Sequence, residues 1–324
     1  MRTAKAITFI AAVLTALSES PEIRAQEAYP AKPVHFVVAF APGGIVDVIA
    51  RLLAPALSEA WKQPVIVENR AGAGGLIATK AVLRSPRDGY TVLVHGTAIA
   101  VTPNLDRQAG YQIEKDLIPV IDAASSPDMI LAYPGLGAKT LQEAIGKARS
   151  GKLSYSSPGT GTPPHLSAEY LFKVLAKVDV THIPYQAIGQ AVGAGISGDV
   201  QFVSLTAASA RAHVKSGKLV PLVVMSDRRV GFMPGVPTVA EAGLPSLEDR
   251  TWVGFFLPAG SPREAVKRLN SDIARLLETP SVRERLVSLG FDAVGGSPEE
   301  FADYLSRESA KWARIVKETG ASID

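Results

Sequence analysis

The chain has 324 residues, 47% of them hydrophobic and 6% aromatic, with 34 Lys and Arg against 31 Asp and Glu for a net charge of +3. That length exceeds what one hydrophobic core usually fills, so two lobes are expected, and the near balance of charge with few rings for base stacking argues against a nucleic-acid partner. The absence of cysteine excludes disulfides, thiol nucleophiles, Cys-ligated zinc, iron–sulfur clusters and a lipidated N-terminal cysteine, and no cofactor is expected.

In chain order, Arg2 and Lys5 precede an unbroken apolar run over residues 6–17 (AITFIAAVLTAL). The run is shorter than the ~20 residues a helix needs to cross a bilayer, and it lacks the polar stripe of an amphipathic helix. Ile23 and Ala25 fall at −3 and −1 of a cleavage site before Gln26. Residues 1–25 therefore read as an export signal, leaving a mature periplasmic chain of net charge +2 with no later stretch long and apolar enough to span a membrane.

Short apolar runs then alternate with amphipathic stretches. Residues 34–40 (VHFVVAF) read as a buried strand closed by Pro42-Gly43-Gly44. A helix follows over 46–61, with Pro55 expected to kink or interrupt it. Residues 64–68 form a strand, 71–75 a glycine-rich turn, 77–84 a helix and 91–94 a strand, the alternation of a parallel sheet with right-handed crossovers. A second series has strands at 129–133, 153–156, 179–183, 200–203 and 220–225, with helices at 141–150 and 164–175. A strand over 252–257 and helices at 262–277, 280–288 and 298–318 complete the chain, which has no internal repeat.

One arrangement occurs in both series: an apolar strand, a Pro/Gly turn with few side chains, and a helix starting at once. A helix start carries amide groups with no intrahelical partner and about half a positive charge, and glycine lets a guest approach the backbone. Such turns can hold an anion without a lysine or arginine. The first candidate turn comprises Phe40, Pro42, Gly43, Gly44, Ile45, Val46 and Asp47; the second comprises Ser157, Gly159, Thr160, Gly161 and Thr162, which add hydroxyls. Ligands of open α/β sheets lie outside the carboxyl ends of the strands. Gly96, Thr97, Tyr185 and Ser204, at or near such strand ends, join the candidate ligand-binding set.

The sequence resembles the Bug receptors, the extracytoplasmic solute-binding proteins of tripartite tricarboxylate transporters. The resemblance rests on Pro42-Gly43-Gly44 with Asp47, and on Glu68-Asn69-Arg70-Ala71-Gly72-Ala73-Gly74-Gly75 and Asp88-Gly89-Tyr90. Ser157-Pro158-Gly159 with His165, Val236-Pro237-Thr238 with Glu241-Ala242-Gly243, and Trp252 with Pro258-Ala259-Gly260 extend it over the whole mature chain. It implies an α/β fold of the two-lobed periplasmic-binding-protein type II, each lobe a mixed sheet flanked by helices. Lobe 1 would comprise residues 26–126 plus 250–324 and lobe 2 residues 127–249. It also implies a small carboxylate clamped in the cleft by amides and waters, delivery to membrane transporter subunits, and a monomeric receptor that does no chemistry.

Four departures from the family pattern bear on specificity. Ile45 and Val46 stand where small or hydroxyl residues are usual, Pro163-Pro164 replaces a Ser/Thr-rich lead, Gln186-Ala187 replaces Lys-Gly, and Leu205-Thr206 replaces an acidic-amide pair. They favour a monocarboxylate or an aromatic or aliphatic acid over a tricarboxylate.

Other readings of single residues stay open. Asp47 serves as a helix cap or as a ligand contact, and His95 lines the cleft or sits in an ordinary loop. His165 reads as a packing residue, Arg70 as an ion-pair partner of Glu68 or Asp88, and Trp252 as packing at the lobe crossover. A periplasmic sensor subunit would show the same fold and site. A hydrolase would need Ser157 or Ser204 with a histidine and an acid, but the chain has no Gly-x-Ser-x-Gly elbow.

Overall fold

The computed structural model describes residues 29–106 and 108–321; the export signal read over residues 1–25 lies outside the described residues. The first part runs β1 (Val34–Val38), α1 (Ile45–Trp61), β2 (Val65–Asn69), α2 (Leu76–Leu83), β3 (Thr91–Gly96), α3 (Ala98–Leu105), α4 (Ile113–Asp116) and β4 (Leu117–Ala132). The middle comprises α5 (Leu141–Ser150), β5 (Leu153–Ser157), α6 (Pro163–Glu169), β6 (Val180–Pro184), α7 (Ile188–Ser197), β7 (Phe202–Thr206), α8 (Ala207–Lys215) and β8 (Val220–Val224). The last part is β9 (Arg250–Pro258), α9 (Arg263–Leu277), α10 (Pro280–Ser288), β10 (Asp292–Gly295) and α11 (Pro298–Thr319).

The long strand β4 organises the molecule. Its 16 residues extend roughly 50 Å at about 3.3 Å per residue, enough to serve two sheets. Residues 117–127 pair antiparallel with β9, which continues to β3, β1 and β2, while β10 pairs with β4 as well. Beyond Asp128 the same strand pairs with β7 and β8, and β7 continues to β5 and β6. β1, β2 and β3 are mutually parallel and β9 runs against them, with β4 beyond it in their own direction, whereas β5, β6 and β7 are mutually parallel and β4 runs against them. This is the two-lobed mixed α/β architecture expected from the resemblance.

Apolar patterning explains the layers. β1 (VHFVV) is buried along almost its whole length, as a central strand covered on both faces must be. On one face, Val34, Phe36 and Val38 pack with Ile49, Leu53 and Leu57 of α1 and with Leu269 and Ile273 of α9. On the other, Val37 and Leu93 belong to a cluster that includes Trp252, Phe256, Phe301 and Trp312 and continues to Ile130, Tyr155, Phe172 and Phe202 in the second sheet. One apolar body therefore passes through the crossing. α11 contributes Phe301, Leu305, Trp312 and Ile315 to it. At its far end the Thr319 carbonyl accepts from Lys173 Nζ at 2.6 Å, which ties α11 to the segment following α6.

Several elements differ from the sequence reading. β4 begins at Leu117, not near residue 129, because Asp122, Ser125, Ser126, Pro127 and Asp128 break the apolar run. Pro127 lies where β4 leaves one sheet for the other, a place where a missing ladder amide is tolerated. α3, α7, α8 and β10 are absent from the sequence reading; α7 (IGQAVGAGIS) is glycine-rich, which lowers its helix propensity, and packing of Ala191, Val192 and Ala194 makes it helical. α1 runs unbroken through Pro55, which stands on the exposed side where water is available to the carbonyl one turn earlier. The helix expected over 164–175 is α-helical only to Glu169 and continues as a π-turn over Tyr170–Leu175.

Candidate functional site

The first turn is shaped by Asp47, which is 3% exposed. The α1 N-cap is Gly44 (φ −70°, ψ 161°), with no side-chain cap. Asp47 instead reaches back from the first turn of the helix. Its Oδ2 accepts from the Gly43 amide at 2.9 Å, and its Oδ1 accepts from Asn69 Nδ2 at 2.8 Å and Arg51 Nε at 2.9 Å. Asn69 also donates to the Phe40 carbonyl at 3.0 Å and accepts from Arg51 at 2.8 Å. Burial pushes the Asp47 carboxyl up, but the Gly43, Asn69 and Arg51 bonds outweigh it and leave the group below its ordinary range. Asp47 is thus ionised and braces the turn through these bonds. The helix ladder begins with Val48 N donating to Gly44 O, so the Ile45, Val46 and Asp47 amides lie outside it. Ala41, Pro42, Gly43 and Gly44 are exposed.

The glycine run after β2 builds the floor of this half. Gly75 has φ +94°, and a Cβ there would lie 2.1 Å from His95 Nε2, so both backbone and space require glycine. His95 is 1% exposed and bonds the Gly96 carbonyl through Nδ1 at 2.9 Å. Burial lowers its pKa to about 4 against the opposing bonds to Gly96 and Gly75; it is a neutral packing residue. Phe40 meets it edge-on at 5.2 Å. A Cβ on Gly96 would lie 3.5 Å from Val46 Cγ2 and 3.9 Å from Phe40 Cε2, so Phe40, Val46 and Gly96 come together as one apolar wall. The Thr97 hydroxyl is engaged internally, donating to Arg250 O at 3.3 Å and accepting from Trp252 N at 3.0 Å. Arg70 pairs with Glu68 at 3.3 Å.

The second turn rests on a stack of rings. His165 lies 3.9 Å from His182, which lies 4.9 Å from Tyr155, all near parallel. The Gly161 amide donates to His165 Nδ1 at 3.0 Å, so the ring proton sits on Nε2. Burial, then the neighbouring His182, lowers the His165 pKa to about 3, and burial lowers that of His182 to about 4. Neither ring brings charge to the turn at neutral pH. Gly159 N donates to Ser157 Oγ at 3.3 Å and Thr162 Oγ1 donates to Gly159 O at 2.8 Å. Pro163 and Pro164 occupy the first helical positions and have no amide to offer. The Gly159 and Gly161 amides and the Ser157 and Thr162 hydroxyls are therefore committed within the turn. Thr160 is exposed. Ser204 is buried, and its hydroxyl donates to Pro164 O at 2.6 Å. Tyr185 joins the turn through its amide, which donates to Ser157 O at 3.1 Å.

Ser157 Oγ lies 2.8 Å from His182 Nε2, a serine–histidine pair that bears on the hydrolase alternative. Ser157 is fully buried, its oxygen is taken up by Gly159 and His182, and no carboxylate orients the imidazole among the described residues. The pair staples a turn.

Strand register places the two turns relative to the crossing. Gly96, at the end of β3, pairs with Val253, and Thr97 bonds Arg250 and Trp252. Thr206, at the end of β7, pairs with Asp128. The carboxyl ends of the parallel strands in both sheets thus run toward the same crossing from opposite sides. A cavity of about 960 Å3 lies elsewhere at the crossing, lined in part by Ser125, Arg228, Arg229, Asp249, Arg250 and Lys311, and it takes no residue from either turn.

Residues 49–321 match the family described as the tripartite tricarboxylate transporter family receptor. The chain belongs to this receptor family. The receptor is 37% identical over 314 residues to the UPF0065 protein in the tcbD-tcbE intergenic region of Pseudomonas sp. strain P51, covering 95% of this chain and 93% of that one. It is 34% identical over 305 residues to protein BugT of Bordetella pertussis, covering 92% of each. Among solved structures, R. palustris Rpa4515 with adipate superposes on the receptor with a TM-score of 0.81 at 32% identity, covering 91% of this chain and 99% of that one. MatC from Rhodopseudomonas palustris with bound malate gives 0.76 at 30% identity, covering 89% and 100%. Family and fold are those of solute-binding receptors, whose members include periplasmic binding proteins, and no helix among the described residues is long and apolar enough to cross a membrane.

Asn69 and Arg51, which brace Asp47, and the His182–Tyr155 pair beneath the second turn were not anticipated as parts of the site. Asn69 lies within a segment that carries the family resemblance and Arg51 one helical turn after Asp47; nothing in the sequence marks the last two.

Proposed function

We propose that this receptor captures a small carboxylate in the periplasm between the 40–47 and 157–162 turns and presents it to the membrane subunits of a tripartite tricarboxylate-type transporter, as a monomer and without chemical turnover. In this reading lobe 1 comprises residues 26–126 plus 250–324 and lobe 2 residues 127–249. The observation that carries it is the pair of strand ends, β3 at Val253 and β7 at Asp128, that converge on one crossing. The amides of Ile45, Val46 and Asp47 supply one half of the anion site, and Thr160 with the His165 amide supplies the other. A guest that touches the second half only on closure gives the closed state the extra affinity it needs. The Phe40, Val46 and Gly96 wall favours an acid with an apolar body, and the bound adipate of one solved relative fits that chemistry better than a tricarboxylate.

The test is calorimetric titration with adipate, malate, citrate and benzoate, in wild type and Gly44→Asp. Gly44 has φ −70°, which any residue adopts, and a Cβ there comes 3.3 Å from Ala41 O, a contact the exposed turn relieves by a shift of a few tenths of an ångström; the new carboxylate then caps α1. The wild type is expected to bind adipate or benzoate at least tenfold tighter than citrate. The variant should stay folded and lose binding a hundredfold or more. Equal affinity in the two proteins, or citrate as the tightest guest, contradicts the reading.

A further inference from the structure

The two ends of the parallel strands differ in charge. The segment leading into each of them carries ionised side chains: Lys32 before β1, Lys62 before β2, Arg87 before β3, Lys152 before β5, Asp179 before β6 and Asp199 before β7. At the carboxyl ends the pattern reverses. Residues 39–46, 97–105, 158–168, 185–198 and 207–210, which follow β1, β3, β5, β6 and β7, contain no Lys, Arg, Asp or Glu, although 20% of the chain is charged. After β2 only Arg70, paired with Glu68, precedes an equally uncharged run over 71–79. These segments hold both capture turns and their neighbours, and parallel pairing puts them at one end of each sheet.

The charges that border this end are taken up. Asp47 is 3% exposed and accepts from Gly43, Asn69 and Arg51, and Arg51 also donates to Asn69. Glu68 is bonded to His35 and Arg70, and Glu169, at the end of α6, accepts from Tyr155 and pairs with Lys173. Asp122, Asp128 and Asp249 lie buried at the crossing. The charged cavity there, with Arg228, Arg229, Arg250 and Lys311, takes no residue from either turn. Burial keeps His95, His165 and His182 neutral at ordinary pH. What acts at the capture end is backbone. Helices α1, α2, α3, α7 and α8, each of eight residues or more, all begin there and present the positive ends of their dipoles. The field has one sign, and among the described residues no uncommitted carboxylate accompanies it.

We infer that the receptor takes acids that carry no ammonium group, and that α-amino acids are rejected by the site that accepts the corresponding unsubstituted and hydroxy acids. This rests on the capture reading and adds to it the charge of the guest's body. An ammonium group beside the bound carboxylate would leave water, meet helix starts of its own sign and find no carboxylate to replace its hydration. A hydroxyl in the same place both donates and accepts, so backbone carbonyls and amides satisfy it. A second carboxylate escapes the penalty because the same helix starts attract it. The large exposed side chains at this end, Ile77 and Ile188, suit a guest whose remainder is apolar.

The test is calorimetric titration of the intact receptor near neutral pH with two series of matched shape. One is adipate, 2-hydroxyadipate and 2-aminoadipate; the other is 3-phenylpropionate, 3-phenyllactate and phenylalanine. Within each series a hydroxyl and an ammonium group replace the same hydrogen, which separates charge from size. In whichever series binds, the hydroxy acid is expected within about fivefold of its parent and the amino acid roughly thirtyfold weaker or more. An amino acid bound as tightly as its hydroxy analogue overturns the inference and leaves carboxylate capture standing. Equal weakening of the hydroxy and amino acids assigns the loss to size and overturns it too. Failure of every acid in both series to bind contradicts the capture reading itself, and the inference falls with it.

Discussion

Asp122 carries a pH dependence whose sign follows from its surroundings. It is 2% exposed, and burial raises its carboxyl from 3.8 to about 7, against the attraction of Arg250. Between roughly pH 4 and 7 the folded chain holds a proton that the unfolded chain has released, so stability falls as pH rises through that window, by about 1.4 kcal/mol per pH unit for one proton. Asp122→Asn should remove one proton's share of that slope, measured by urea unfolding from pH 4 to 8; an unchanged slope contradicts the assignment. Asp47 behaves oppositely, being ionised and hydrogen-bonded in the folded state. Asp47→Ala leaves the Gly43 amide, Asn69 and Arg51 without their acceptor, and the expected loss is about 3 kcal/mol with a disordered first turn, read by unfolding and by the Gly43 amide resonance. The sequence placed Asp47 at a helix start and left open what it bonds. Its partners Asn69 and Arg51 are 22 and 4 positions away, and only the parallel pairing of β1 with β2 brings the former into reach.

At the level of elements, Gly254 is where β9 meets α11. A Cβ there would lie 2.5 Å from Phe301 Cζ and 3.1 Å from Phe256 Cε2, within the ring cluster around Trp252. Gly254→Ala must displace Phe301 and the first turns of α11, and a loss of about 1–3 kcal/mol is expected. Denaturant unfolding measures it, and a neutral substitution would show that α11 is not seated by this contact. Two helices were legible for different reasons: α5, at Leu141–Ser150, has an apolar stripe behind a Thr140 cap, and α10, at Pro280–Ser288, opens on a proline at its first turn; both fall where the sequence reading put them. β4 was not. Its crossing half is built of Asp, Ser and Pro, where the strand passes from one sheet to the other, and they erase the alternation by which a strand is recognised.

For the whole molecule, the two-lobed fold and the receptor family were legible because the Pro-Gly-Gly and Glu-Asn-Arg-x-Gly-Ala-Gly-Gly turns are backbone requirements written in glycine. How the second turn is supplied with donors was not legible. Its hydroxyls and glycine amides look free in sequence, whereas Ser157, Gly159, Gly161 and Thr162 bond one another and His165. In the proposed site a guest meets a small set of amides, with Thr160, from the two sides of the crossing, and the proposal stands on both sides acting together. The most direct measurement is an amide 1H–15N NMR titration of the intact receptor with adipate, malate and benzoate. The account predicts that Ile45, Val46 and Asp47 shift together with Thr160 and His165, with one common saturation curve. Shifts confined to one turn, shifts centred on the cavity around Arg228 and Arg250, or none with any acid would contradict it.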